Sequence, residues 1–312
     1  MKSPLLKLSN FSIIHKETNK TIVRDLSFEV YENEVVGIIG ESGSGKSLTM
    51  LSILGIIPGS LEISGEIYFE GEKVEDTKNI RGKKISMIFQ DPLTALNPVL
   101  KIIDQVKLIS KSNKMEFSST LEEFKKLLFS MKIPNPERVL KSFPHQLSGG
   151  MLQRVAIALV LLLKPKLIIA DEPTTSLDVT VQKEIISIIK KIKTTESKSI
   201  IFVTHDIMLA KELVDRIIVM YAGEIMEIGS TNKIIESPLH PYTKLLIDSV
   251  PKVDGKPERL AFLRGRVPHF SEITSGCVFF DRCPIAEYGK CNVSKPNIQR
   301  KYDNQLVKCF FA

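Results

Sequence analysis

The sequence predicts an α/β fold: a mixed-sheet core with an antiparallel β subdomain and an inserted α-helical subdomain, followed by a small irregular C-terminal extension. Three observations predict it. Val35 to Ile39 (VVGII) is a short β-branched run suited to a fully buried strand, and it leads into a glycine-rich loop and then a helix. Leu167 to Ala170 is a second such run, and it ends in two adjacent carboxylates. Between the two, the hydrophobic period changes from strand-like to helical.

Leu5 to about Pro92 alternates short strands and turns, with Asp25 to Val30, Glu66 to Phe69 and Ile85 to Phe89 as strands. From Leu96 to Leu163 the period is helical. In Thr120 to Met131 the apolar residues fall at Leu121, Phe124, Leu127, Leu128 and Met131, with Thr120 placed as the N-cap three residues before Glu123. Strand character returns at Leu167 and continues to about Glu236 through Ile200–Val203, Ile217–Met220 and Glu224–Ile228. The expected division is a domain over 1–236, with its helical subdomain at about 93–163, and an extension over 237–312. No internal repeat is visible.

The loop after the first run reads Gly40-Glu41-Ser42-Gly43-Ser44-Gly45-Lys46-Ser47, the pattern G-x-x-x-x-G-K-S of a phosphate-binding loop. Its glycines let backbone N–H groups wrap an anion, and the helix opening through Ser47 and Leu48 aims its positive end at the same point. Lys46 is expected to reach the β- and γ-phosphates, and Ser47 to ligate Mg²⁺. After the second run, Asp171 is placed to hold Mg²⁺. Glu172, expected on the other side of the pleat, is placed to polarise the water that attacks the γ-phosphate.

Leu147 to Arg154 reads LSGGMLQR, close to the signature LSGGQ with Met151 in the last place. With the phosphate loop and LIIADE, it makes the chain resemble the ATP-binding subunit of an ABC transporter, with the fold of a RecA-like P-loop NTPase. The resemblance implies that such chains dimerise head to tail, so that Ser148, Gly149 and Gly150 face the nucleotide held by another subunit. It also assigns Gln90 to the Q-loop and to Mg²⁺, Ser176-Leu177-Asp178 to the D-loop, and His205 to the switch histidine at the γ-phosphate. Catalysis is thereby expected from Glu172, His205, Lys46 and Gln90. The family stacks adenine on an aromatic residue in the first strand. Here hydrophobic alternation puts His15 at that place, with Phe11 or no platform as alternatives.

With 43% hydrophobic residues in 312, the chain is large enough for one α/β core and a further lobe. No apolar run approaches the ~20 residues of a spanning helix, and Met1 to Lys7 leads into strand alternation rather than a signal peptide. These features lead to the expectation of a cytosolic chain, and the family resemblance implies the cytoplasmic face of the membrane, where other chains would hold it. Net charge is +7, but the lysines are scattered (Lys125, Lys126, Lys190, Lys191, Lys193), without the basic stripe that nucleic-acid binding calls for.

All four cysteines, Cys277, Cys283, Cys291 and Cys309, lie in the extension at spacings C-x5-C-x7-C-x17-C. A cytosolic chain disfavours disulfides, which leaves a [4Fe–4S] cluster, a zinc ion without the usual C-x2-C knuckle, or buried thiols without metal. Pro238-Leu239-His240-Pro241-Tyr242-Thr243 followed by this tail resembles the extension of di- and oligopeptide importer ATPases, some of which carry such a cluster. PHQ, SGGM and ADEPTTSLDVTVQ resemble the first of two paralogous ATPases in these systems. The implied partners are the paralogous ATPase, two transmembrane permeases and, indirectly, a peptide-binding lipoprotein. The alternatives are the ATPase of a nickel or metal-chelate importer of the same family and a soluble ABC ATPase outside transport.

Overall fold

The computed structural model describes residues 3–175, 177–250, 265–273, 275–301 and 304–312. It divides into two compact units, residues 1–77 with 201–312, and residues 78–200.

The first unit opens with β1 (Leu6–His15), β2 (Lys20–Val30), β3 (Val35–Ile39), α1 (Lys46–Ile53), β4 (Leu61–Phe69) and β5 (Glu72–Lys73). Strands β2-β1-β4-β5 form an antiparallel sheet in that order. Its buried face comes from alternation in β1, where Leu6, Leu8, Phe11 and Ile13 are within 1% of full burial. The register slips between Leu8 and Phe11, where Asn10 adopts φ 49° as a bulge residue. Phe11 is thus a core residue, so its ring is not open to a nucleobase.

The second unit contains β6 (Ile85–Ile88), α2 (Pro92–Ala95), α3 (Ile102–Ser112), α4 (Phe117–Ser130), α5 (Pro136–Lys141), α6 (Gly149–Leu162), β7 (Leu167–Asp171) and α7 (Val179–Glu196). Strands β6 and β7 pair in parallel, with Ile88 opposite Ala170. Helix α4 begins four residues before the position read from sequence, with Glu116 rather than Thr120 as its cap. The Glu116 carboxylate accepts from the Ser118 and Ser119 N–H groups at 2.8 and 2.6 Å, while the buried Thr120 hydroxyl donates to the Glu116 carbonyl at 2.7 Å. A carboxylate that satisfies two free helical N–H groups starts the helix earlier than the Thr120 hydroxyl could.

The chain then supplies β8 (Ser199–Thr204), α8 (Ile207–Lys211), β9 (Arg216–Tyr221), β10 (Glu224–Ser230), α9 (Thr231–Glu236), α10 (Pro241–Asp248), β11 (Gln299–Arg300) and β12 (Leu306–Val307). In the first unit the strand order is β11-β12-β10-β9-β3-β8. Strand β3 is parallel to β9, whereas β10 is antiparallel to both β9 and β12, which gives the mixed sheet the sequence predicts. All five residues of β3 are buried, so neither of its faces meets water. The last strands tie the extension to the core: Leu306 pairs with Ile228, and Gln305 donates to the fully buried Glu227 at 2.6 Å. Among the described residues no helix is long and apolar enough to cross a membrane.

Candidate functional site

In the first unit, residues 40–47 leave the buried β3 and enter α1. Gly45 caps that helix at φ 92°, a left-handed conformation that side chains resist. A Cβ on Gly40 would stand 2.1 Å from the Met220 carbonyl oxygen, so only glycine lets the loop lie against β9. Lys46 is 4% exposed, and its Nζ donates to the Gly40 and Glu41 carbonyls at 2.7 and 2.9 Å and to Ser44 Oγ at 3.3 Å. The cation is therefore folded back onto the carbonyls and hydroxyl of its own loop. Ser47 opens α1, followed by Leu48.

His205 follows β8, the sheet neighbour of β3, and is exposed; the next residue, Asp206, caps α8 by accepting from the Met208 and Leu209 N–H groups. His15 ends β1, with Nδ1 at 3.1 Å from Thr18 Oγ1 and its ring stacked on Phe270 at 6.1 Å.

The extension also reaches the phosphate loop. Arg282, with a side chain 7% exposed, grips Glu41 through two bonds of 2.6 and 3.0 Å and donates to the Tyr221 hydroxyl at 3.1 Å. Its bonds to Glu41 raise the guanidinium pKa above the ordinary range. The Glu41 N–H donates to the Tyr242 hydroxyl at 2.9 Å, and burial raises that phenol well above its usual value. Tyr221, Tyr242 and Phe279 pack with ring centroids 4.7 to 5.3 Å apart. Sequence reading assigned Arg282 and Tyr242 no contact with the loop. Tyr242 lies in the singled-out PLHPYT stretch, but Arg282 is 241 residues from Glu41 and carries no local signal.

In the second unit, parallel pairing of β6 with β7 delivers Gln90 and Asp171–Glu172 at the same strand ends. Gln90 is exposed, and Asp171 is 6% exposed. Glu172 does not continue the pleat as expected; it has φ 42°, a strained conformation for this residue type. The Thr175 hydroxyl donates to its carboxylate at 2.9 Å. Sequence reading did not identify this partner.

Ser148 precedes α6 and makes no side-chain capping bond, which leaves the first-turn N–H groups of Gly149 and Gly150 to other acceptors. A concavity of about 320 Å³ opens there, lined by Ser148 to Met151, Arg154, Leu177, Asp178 and Val181. The signature and D-loop residues therefore border one space. Asp178 caps α7 by accepting from the Thr180 and Val181 N–H groups, both at 3.0 Å, and Arg154 on α6 pairs with Glu184 on α7. Ser176 lies outside the described residues.

The four cysteines are free thiols in the first unit. Cys277 N–H donates to the Cys291 carbonyl at 2.7 Å, which joins two turns of the extension. Burial pushes the Cys277 thiol up to about 11, with Cys283 and Cys291 adding to the rise; Cys283 is raised by burial and by Cys309 and Cys291. The N–H groups of Phe279, Ile285 and Phe311, each two residues further along the chain, bond the sulfurs of Cys277, Cys283 and Cys309. Among the described residues no three His, Cys, Asp or Glu side chains converge as the ligands of one metal ion would.

Comparison with known proteins agrees with this geometry. Residues 23–175 match the ABC transporter family, and residues 226–291 match the oligopeptide/dipeptide transporter C-terminal region. The chain is 38% identical to the oligopeptide transport ATP-binding protein OppD of Haemophilus influenzae over 99% of this chain and 98% of that protein. It is 40% identical to the dipeptide transport ATP-binding protein DppD of Escherichia coli over 92% and 89% respectively. Among solved structures, the ATP-binding cassette MJ0796 in a dimeric post-hydrolysis state with ADP and Pi superposes with a TM-score of 0.63 at 32% identity, covering 72% of this chain and 98% of that one. With a phosphate loop, a carboxylate pair, a signature helix and an extension matched in one chain, this protein belongs to the ABC transporter ATPases, among the oligopeptide and dipeptide transport ATP-binding proteins.

Proposed function

We propose that this chain is the ATP-hydrolysing subunit of an importer for di- or oligopeptides, working at the cytoplasmic face of the membrane as a dimer with a paralogous ATPase on two permeases. A peptide-binding lipoprotein would deliver cargo to the permeases. In this reading residues 1–236 are the nucleotide-binding domain and 237–312 the peptide-importer extension.

Lys46 and the N–H groups of the loop 40–47 bind the β- and γ-phosphates. Ser47, Asp171 and Gln90 would hold Mg²⁺, an all-oxygen set of the kind this ion prefers, and the bound ion would neutralise charge developing on the phosphates. Glu172 takes the proton of the attacking water, and His205 contacts the γ-phosphate. The observation that carries hydrolysis is Glu172 itself. Its carboxylate is braced by Thr175 and its backbone is left-handed, beside Asp171 and just past the end of a strand parallel to the one that leads to Gln90. Ser148, Gly149 and Gly150 serve the nucleotide of the partner subunit, with Asp178 beside them.

Cys277, Cys283, Cys291 and Cys309 would hold a [4Fe–4S] cluster. The backbone N–H bonds to three of the sulfurs suit metal-bound thiolates, with zinc as the alternative occupant, and binding would have to draw the four side chains together, since among the described residues they do not converge as the ligands of one ion. Peptide cargo rests on the OppD and DppD relatives and the matched C-terminal region. Glu172→Gln tests the hydrolytic reading: in the assembled transporter it lowers turnover by about 10²–10⁴ and stops peptide uptake while ATP still binds. Undiminished turnover would remove Glu172 from the mechanism.

A further inference from the structure

Residues 265–273 of the extension form a turn braced by its own side chains. Arg266 bonds Glu272 through both terminal nitrogens at 2.9 and 2.5 Å, and the same carboxylate accepts the His269 N–H at 2.8 Å. His269 Nδ1 lies 2.7 Å from Ser271 Oγ, and Lys20 of β2 donates to the Ser271 carbonyl at 2.9 Å. The turn is thus fixed within itself and tied to the strand after β1. It holds the Phe270 ring 4.1 Å from that of His269 and stacked on His15 at an interplanar angle of 28°.

Phe270 and His269 line a cavity of about 260 Å³ whose other walls include Ser42 and Gly43 of the phosphate loop, with Ile22 and Ala222. The lining is mostly apolar. One wall is the backbone that cradles phosphates; another is a pair of aromatic rings. That combination suits a ligand with an anionic end and a flat heteroaromatic end. β1 ends in His15, whose imidazole offers less stacking area than a larger aromatic ring.

The geometry points to Phe270, supported by His269, as the nucleobase-contacting wall of the ATP site. The extension then supplies the stacking surface that the first strand provides only in part, and nucleotide affinity depends on this turn remaining docked. This rests on the reading that Lys46 and its loop bind the phosphates of ATP. Stacking is tolerant of base identity, so Phe270 sets affinity for nucleotides over bare polyphosphate rather than for adenine over guanine.

The test is calorimetric titration of the full chain with MgATP and with magnesium tripolyphosphate, in wild type, Phe270→Ala, Phe270→Tyr and Lys46→Ala. The expected result is a loss of about tenfold in MgATP affinity for Phe270→Ala with tripolyphosphate unchanged, and recovery of ATP affinity in Phe270→Tyr. Three outcomes overturn the proposal: wild-type ATP affinity in Phe270→Ala, tighter ATP binding in that variant, which would make the ring an obstruction, or equal loss of both ligands. Lys46→Ala weakens both ligands. If it leaves both intact, the ATP reading itself fails, whatever Phe270 does.

Discussion

The ion pair between Arg282 and Glu41 predicts an asymmetry that a double-mutant cycle can measure. Its two partners differ in their access to water: the Arg282 side chain is 7% exposed and that of Glu41 is 27% exposed. Glu41→Ala leaves a guanidinium enclosed against Tyr221 with its two strongest bonds gone, so the cost falls near the lower end of the ~3–5 kcal/mol typical of breaking a buried pair. Arg282→Met keeps the aliphatic stem and leaves a carboxylate that water can reach, so its cost is about 1.5 kcal/mol, the low end for a hydrogen bond to a charged group. The double variant removes both charges and costs about 2 kcal/mol less than the sum, within the coupling range of contacting residues. The assay is urea denaturation at neutral pH followed by tyrosine emission; the chain has no tryptophan, and Tyr221 and Tyr242 sit at the perturbed cluster. Equal single-variant costs, or additivity in the double variant, would refute the claim that the extension is clamped to the phosphate loop by a desolvated pair.

Burial lowers His240 to about 3, with Lys244 lowering it further and a hydrogen bond with the Lys308 backbone opposing. Because the folded pKa lies below the ordinary histidine value of about 6.5, the unfolded chain takes up the proton first; this contribution is complete above about pH 6.5 and is lost as pH falls towards 3, at up to about 1.4 kcal/mol per pH unit. His240→Asn, which keeps an N-cap acceptor for Tyr242 N–H, flattens the stability profile between pH 7.5 and 5, and an unchanged slope would exclude His240 as its source. Anaerobic purification yields a brown protein with iron and acid-labile sulfide in equal amounts, and Cys291→Ser loses both; a colourless protein holding zinc contradicts the cluster.

Some features were legible because they are local. The spacing from Val35 through Lys46 to Ser47 encodes strand, loop and helix within one stretch, and the observed α1 begins one residue from its expected start. Where a local competitor was overlooked, the reading failed. Glu116 is outside the usual set of small capping residues, yet its carboxylate takes the N–H groups of Ser118 and Ser119, and Thr120 becomes an interior helical residue. Phe11 had the right chemistry for a nucleobase platform, but the Leu8–Phe11 register shift accompanies its complete burial. Glu172 was identified correctly as a carboxylate beside Asp171, while its left-handed backbone and its Thr175 brace follow from the turn after β7.

By itself the sequence determined the chemical parts: a phosphate loop, a carboxylate pair, a signature helix and four clustered thiols. Each is set by backbone and side-chain requirements that act over a few residues. The tertiary structure alone decided that the extension returns to the core sheet, pairs β12 with β10, and lays Arg282, Tyr242 and Phe270 beside the loop after β3. Such placement depends on burial and charge pairing between residues more than 200 positions apart, as with Glu41 and Arg282, and no local period or spacing records it.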